Sequence, residues 1–284
     1  MLSDSKHPRR LDLGQVDVWL TPLSVITDDL QRAYERLLNA SEHARWQRFA
    51  VPNPQLQYLV ARVLLRTTLS QYAGAPAGVW QFDTNPHGRP FISQPARFRA
   101  LQFNLSHTNG LVACAVAREC EVGVDVENVG RELDIAELAP SVFAPMELAS
   151  LAQRPPGERR DLFFSYWTLK EAYIKARGMG LSLALDGFWF DLTAASPRAY
   201  FTERCPDDTD RWRFRQYAPT RQHKLAVAVA TPANELDIRV RWVVPLMSAL
   251  DARKLIACAA TADCLPMAPA AEVPETSREA VRAK

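Results

Sequence analysis

Hydrophobic and polar positions change their period along this chain. Residues 16–21, Val-Asp-Val-Trp-Leu-Thr, alternate and predict a strand. Residues 28–50 read as helical, with Leu30, Tyr34, Leu37 and Leu38 near helical spacing, until Pro52 and Pro54 break the pattern. Residues 55–73 predict a helix whose broad apolar stripe is Leu56, Leu59, Val60, Val63, Leu64, Leu69 and Tyr72. A turn-rich stretch from Thr84 to Phe91 follows, then strands over 101–107, 111–117 and 121–127. A short helix is expected over 134–138, one from Pro145 through about Gln153, and a long one over 160–177 that Gly178 and Gly180 end. Strands are expected over 188–192, 212–217, 225–230 and 239–244. After Pro245 the chain turns rich in Ala, Pro and charge, and disorder is expected from about residue 262.

Strand, helices and strands thus occur twice. The order predicts an α+β fold of two similar halves, 1–121 and 122–245, with 246–284 as a partly disordered tail.

Composition changes this picture little. A hydrophobic content of 48% and a charged content of 23% describe a globular, soluble chain. No apolar run is long enough for a membrane span, and the polar first residues lack the core of a signal peptide, so a cytoplasmic protein is expected. A net charge of +2 gives no reason to invoke nucleic acid. The five cysteines form no Cys-x-x-Cys pair and no disulfide framework. Arginine outnumbers lysine 28 to 6, yet two of the six lysines, Lys170 and Lys175, fall inside one acidic motif. That placement marks them for a specific role.

Two acidic motifs carry the candidate chemistry. In Gly123-Val-Asp-Val-Glu127, the spacing puts Asp125 and Glu127 on one strand face. Paired anions of this kind either take a cation between them, with hard oxygens suiting Mg²⁺, or are two solvated acids. Glu171 and Lys175 lie one turn apart on the long helix, a site for a phosphate-bearing cation or a surface ion pair. Ser106 and His107 lack the glycine elbow of a serine hydrolase. They read as phosphate donors or as a structural turn. Gly88-Arg89-Pro90 is a turn whose arginine is free to grip a phosphate or to stay solvated, and Arg45 and Arg48 are further basic candidates.

Taken in order, Gly88 to Pro90, Phe103 to His107, Gly123 to Glu127 and Phe164 to Lys175 resemble the motifs of 4′-phosphopantetheinyl transferases. The likeness is to the larger single-chain type that activates surfactin-like peptide synthetases. It extends over roughly residues 15 to 245 and includes Tyr58 to Tyr72 and Gly178 to Leu183. The resemblance implies two α+β halves about a pseudo-twofold axis, with the active site and coenzyme A in the cleft between them. It implies Mg²⁺ held by Asp125, Glu127 and Glu171. It implies coenzyme A contacts from Ser106, His107, Lys170 and Lys175, with Gly88, Arg89 and Pro90 near the nucleotide and Arg45 and Arg48 toward its 3′-phosphate. Relatives often carry Arg where this chain has Gln57.

The implied reaction moves 4′-phosphopantetheine from coenzyme A to a serine of an apo acyl or peptidyl carrier protein. Adenosine 3′,5′-bisphosphate leaves. Glu171, directly or through a water, is the expected base, Lys175 and Asp125 complete the catalytic set, and a monomer is expected. The alternatives are a Mg²⁺-dependent phosphohydrolase using the same acids, and a carrier-protein-binding module with a degenerate site.

Overall fold

The computed structural model describes residues 8–232 and 236–263. The chain runs β1 (Gln15–Pro22), α1 (Asp28–Glu35), α2 (Ala40–Trp46), α3 (Pro52–Ala73), β2 (Gln81–Thr84), β3 (Pro90–Gln94), β4 (Leu101–Thr108) and β5 (Leu111–Arg118). It continues β6 (Val122–Asn128), α4 (Ile135–Val142), α5 (Pro145–Gln153), α6 (Pro156–Arg177), β7 (Phe188–Asp191), β8 (Arg198–Phe201), β9 (Trp212–Thr220) and β10 (His223–Ala230). It closes with β11 (Asp237–Trp242) and α7 (Ala249–Asp263). Among the described residues no helix is long and apolar enough to cross a membrane.

The two halves repeat one topology. In the first, β1 pairs antiparallel with β5, β5 with β4, and the 22-residue α3 leads into the hairpin β2–β3. In the second, β6 pairs antiparallel with β10, β10 with β9, and the 22-residue α6 leads into the hairpin β7–β8. Both long helices end on a left-handed glycine, Gly74 at φ 60° and Gly178 at φ 62°, a conformation that costs glycine least. The expected pair of α+β halves is therefore present as a repeated strand order.

The central strands β1, β5, β6 and β10 are buried on both faces, and their side chains point alternately to either side, which makes four layers. Val16, Val18 and Leu20 of β1 and Leu111, Ala113, Ala115 and Ala117 of β5 face Val122, Val124 and Val126 of β6 and Leu225, Val227 and Val229 of β10. The opposite face of the first sheet packs Trp19, Val112, Cys114 and Val116 against α3. The opposite face of the second packs Ala226, Ala228 and Ala230 with α6. Two sheets thus stack face to face with one long helix outside each.

Several elements differ from the sequence reading. The helix expected over 28–50 is two, because Asn39 caps α2 and forms a reciprocal capping box with Glu42. Glu42 then turns inward and accepts hydrogen bonds from Arg62 (2.7 Å) and the fully buried Arg66 (2.7 Å). Pro52 and Pro54 do not interrupt a helix but open α3, where the first amides need no partner. The strands β2, β3 and β8, four or five residues each, were absent from the sequence reading, because so short a run carries too little alternation to be seen.

The C-terminal boundary also shifts. β11, placed with the second half by the sequence reading, pairs in parallel with β1 and extends the first sheet to the order β11-β1-β5-β4. Its Ile238 and Val240 pack at the inter-sheet core, which covers an edge that β1 would otherwise expose. Residues 249–263 form a helix, with Ala252 and Ile256 buried in the first half's core. An alanine-rich segment is helix-favouring, and here it has a surface to pack on. The disorder expected from about residue 262 falls, beyond Asp263, outside the described residues.

One close approach positions the site. A Cβ built on Gly123 of β6 would stand 2.0 Å from the Ala172 carbonyl oxygen and 2.6 Å from the Ala176 amide nitrogen of α6. The helix can lie this close only over a glycine. Gly123→Ala is expected to destabilise the fold by about 3 kcal/mol or more in chemical denaturation, since the obstruction is backbone that cannot step aside. An unchanged denaturation midpoint would show that α6 has slack over β6.

Candidate active site

The site forms where the two halves meet. β6 is an edge strand of the second sheet, so alternate backbone N–H groups along it lack a strand partner. Side chains of β4 take that place. Val124 N–H donates to Asn104 Oδ1 (3.0 Å), Val126 N–H to Ser106 Oγ (3.2 Å) and Asn128 N–H to Thr108 Oγ1 (3.2 Å). The period of two on both strands keeps this ladder in register. Between those amides, Asp125 and Glu127 turn the other way, toward α6.

Helical spacing supplies the facing groups. Trp167, Glu171 and Lys175 follow one another at four-residue intervals, so they share the face of α6 that lies over β6. Lys175 Nζ stands 2.6 Å from Asp125 Oδ1 and 3.0 Å from Ser106 Oγ. Ser106 Oγ in turn donates to Asp125 Oδ1 at 2.9 Å. Trp167 Nε1 donates to Glu127 Oε1 at 2.9 Å, and the Arg131 guanidinium stands 3.5 Å from that oxygen. Ser106 and Asp125 are 5% and 4% exposed, so these charges interact with little solvent between them.

The electrostatics show a site crowded with negative charge. Burial first, then the Asp125 charge and that of Glu127, hold the Glu171 carboxyl above its ordinary range against the opposing pull of Lys175. Burial and Asp125 likewise raise Glu127, opposed by Arg131, Trp167 and Lys175. Burial and the Lys175 charge push His107 below the usual imidazole range.

Among the described residues, no group of three His, Cys, Asp or Glu side chains is gathered closely enough to hold a metal ion. Asp125 is instead neutralised by Lys175, and Glu127 is held by Trp167. The donor chemistry nevertheless fits a hard divalent cation. Asp125 Oδ2 is a buried carboxylate oxygen with no hydrogen-bond partner, and the raised Glu171 belongs to a group short of positive charge.

Two family models match this chain in tandem. One described as 4′-phosphopantetheinyl transferase, N-terminal, matches residues 26–119, and one described as 4′-phosphopantetheinyl transferase superfamily matches residues 121–230. The 4′-phosphopantetheinyl transferase HetI of Nostoc sp. is 32% identical over 230 residues, which is 81% of this chain and 90% of that protein. The chain belongs to the 4′-phosphopantetheinyl transferase superfamily. It is an enzyme of that class, of the larger single-chain type. A 4′-phosphopantetheinyl transferase of Bacillus subtilis is 30% identical over 212 residues, 74% of this chain and 89% of that one. The transferase Sfp of Bacillus subtilis strain 168 is 25% identical over 213 residues, 75% of this chain and 91% of that one.

Within this transferase, the structure brings Ser106, Asp125, Glu171 and Lys175 together with Glu127 beside them. Lys170 is elsewhere, and its expected contact with coenzyme A is not supported. It is 1% exposed, pairs with the fully buried Glu147 at 2.8 Å, and donates to the Leu185 and Phe188 carbonyls, each at 2.7 Å. Adjacent helix residues point about 100° apart, so Lys170 and Glu171 cannot both face β6. Arg89 is likewise engaged by protein. Its guanidinium donates to the Ala176 carbonyl near the C-terminus of α6 and, at 3.4 Å, to that of Val122, while Asn85 Nδ2 donates to Gly178 O at 2.8 Å. That favourable cation at a helix C-terminus replaces the expected free phosphate grip.

Gly88, at φ 86°, and Pro90 shape the turn that carries Arg89. Arg45 and Arg48 are exposed, Arg45 lying 5.4 Å from the Tyr58 ring centre, and no described hydrogen bond or ion pair joins either to the carboxylates. Sequence reasoning missed Trp167 as the residue that fixes Glu127. Its place four residues before Glu171 was the available signal.

Glu171 makes the cost of this arrangement measurable. Its folded carboxyl titrates above its unfolded value, so ionised Glu171 weakens the fold above the folded pKa, and this penalty vanishes below the ordinary carboxylate range. Glu171→Gln is expected to raise the melting temperature at pH 8, by about 2–4 °C for each kcal/mol recovered. The gain should disappear near pH 4. A variant no more stable than the parent at pH 8 would refute the crowded-charge account.

Proposed function

We propose that this enzyme transfers the 4′-phosphopantetheine group of coenzyme A to a serine of apo acyl or peptidyl carrier proteins. It acts as a cytoplasmic monomer and depends on Mg²⁺. The observation that carries the reading is the seam itself, where the buried, unpartnered Asp125 Oδ2 lies beside an ammonium shared by Asp125 and Ser106, with Glu171 close by. HetI and Sfp, both 4′-phosphopantetheinyl transferases, agree with it.

In the proposed reaction the carrier serine oxygen bonds to the pyrophosphate phosphorus that bears pantetheine. The bond from that phosphorus to the bridging oxygen breaks, and adenosine 3′,5′-bisphosphate leaves with the electron pair. The serine proton passes to Glu171, directly or through water. A carboxylate whose proton affinity is raised by its surroundings is suited to that task near neutral pH. Asp125, Glu127 and Glu171 would hold Mg²⁺, which would supply neutralisation of pyrophosphate charge and orientation of its oxygens. Lys175 places an ammonium beside Asp125, and Ser106 helps to fix its direction. His107 offers a ring nitrogen to a coenzyme A phosphate, and Arg45 and Arg48 offer charge toward the nucleotide's 3′-phosphate.

Intact-mass measurement of apo carrier proteins incubated with the enzyme, coenzyme A and Mg²⁺ tests this. The expected result is the gain of one phosphopantetheine, lost with a chelator. Asp125→Ala and Lys175→Ala are each expected to lower turnover by on the order of 10²-fold or more with the fold retained. Near-parental turnover in Asp125→Ala would remove the metal assignment. Hydrolysis of coenzyme A without carrier modification would favour the phosphohydrolase reading.

A further inference from the structure

His107 is tied to a chain of side-chain amides that the carboxylate site does not use. Its Nδ1 lies 2.9 Å from Gln57 Oε1. Gln57 Nε2 donates to Asn53 Oδ1 at 3.2 Å, and Asn53 Nδ2 donates to Asn109 Oδ1 at 3.0 Å. The chain ends at the β4–β5 turn, where the Asn109 backbone carbonyl accepts from Asn128 Nδ2 (3.3 Å) and meets His223 Nε2 at 2.8 Å. Those last two residues belong to the second half. The His107 ring, carried on β4, is therefore held from α3 through a chain anchored at the meeting of the two halves.

The direction of donation matters. Each amide passes its N–H toward Asn109, which leaves the Gln57 oxygen for His107. An amide oxygen only accepts, so Nδ1 is the nitrogen that carries hydrogen in the neutral ring. We propose that Gln57 is the positioning residue for His107: its side-chain oxygen accepts from Nδ1–H and aims Nε2 at the substrate phosphate, where Nε2 takes up a proton from the phosphate or from solvent and, as imidazolium, donates to a phosphate oxygen. Gln57 is 9% exposed, buried enough that its amide groups require these partners. The charges that bear on the same ring are Lys175 from α6 and Asp125 from β6, acting in opposite senses. The functional part of this proposal rests on the coenzyme A reading above.

Nitrogen NMR of the full chain labelled at histidine reads the tautomer without any substrate, with His107→Asn identifying the resonance. The Nδ1–H form is expected in the parent. Gln57→Leu should lose it in favour of the Nε2–H form, and Gln57→Glu, which keeps an accepting oxygen, should restore it. Gln57→Leu leaves the Nδ1–H of the phosphate-bound imidazolium without an acceptor, so KM for coenzyme A should rise about three- to tenfold with kcat little changed, the scale of one hydrogen bond. An Nε2–H ring in the parent, or a tautomer indifferent to Gln57→Leu, would overturn the proposal. So would a tautomer change without any change in KM. If the parent binds no coenzyme A by calorimetry, the coenzyme A reading fails and the positioning role fails with it, while the tautomer result stands apart.

Discussion

Three side chains of β4 make the two halves one enzyme. Asn104, Ser106 and Thr108 satisfy the edge amides of Val124, Val126 and Asn128. Without them β6 would have to bury unpaired N–H groups, each costly in an interior of low dielectric. The same ladder sets the register of one half on the other. Because residues 104, 106 and 108 share a strand face, as do the amides they meet, a slip by one residue would remove all three bonds together. Ser106 serves both purposes, accepting from Val126 N–H and bonding to each member of the Asp125–Lys175 pair.

The site is assembled from strong local constraints on opposite sides of that seam. Gly123 lets α6 lie against β6, and this closeness brings Lys175 Nζ within 2.6 Å of Asp125. The inner valines of β6 commit Asp125 and Glu127 to the helix side, since alternation leaves them no other face. In the proposed function, stability and activity then oppose one another. Grouped carboxylates weaken the fold at neutral pH, and Lys175, Trp167 and Arg131 moderate that repulsion without abolishing it. The large aromatic and aliphatic cores against α3 and α6 offset the remainder.

The buried Lys170–Glu147 pair supports the site from behind. Glu147 also accepts from the backbone N–H groups of Ala144 (2.9 Å) and Phe190 (3.0 Å), so α5, α6 and β7 are tied together beneath the face that carries Glu171. Arg89 plays a related part at the other end, joining the β2–β3 turn of the first half to the C-terminus of α6 in the second. Both residues were sequence candidates for phosphate. Both instead serve to hold α6 where it is.

Much was determined by residue order alone. Local periods placed eight of the eleven strands and both long helices, because regular side-chain orientation repeats every 2 or 3.6 residues. The ordered motifs identified the family, and the i, i+2 pair Asp125/Glu127 and the i, i+4 pair Glu171/Lys175 were legible because each spacing lies within one regular element. What spans elements was not. Neither the pairing of β11 with β1 nor the shelter that makes α7 a helix has a local signature, since both depend on an edge and a surface supplied by distant residues. Lys170 and Lys175 look alike in sequence, and only the packing of α6 decides that one faces the buried Glu147 and the other Asp125. Gln57 stood out in the sequence only as a departure from relatives. Its hydrogen bond to His107, fifty residues away, exists because α3 and β4 pack together, a tertiary fact that no spacing along the chain encodes.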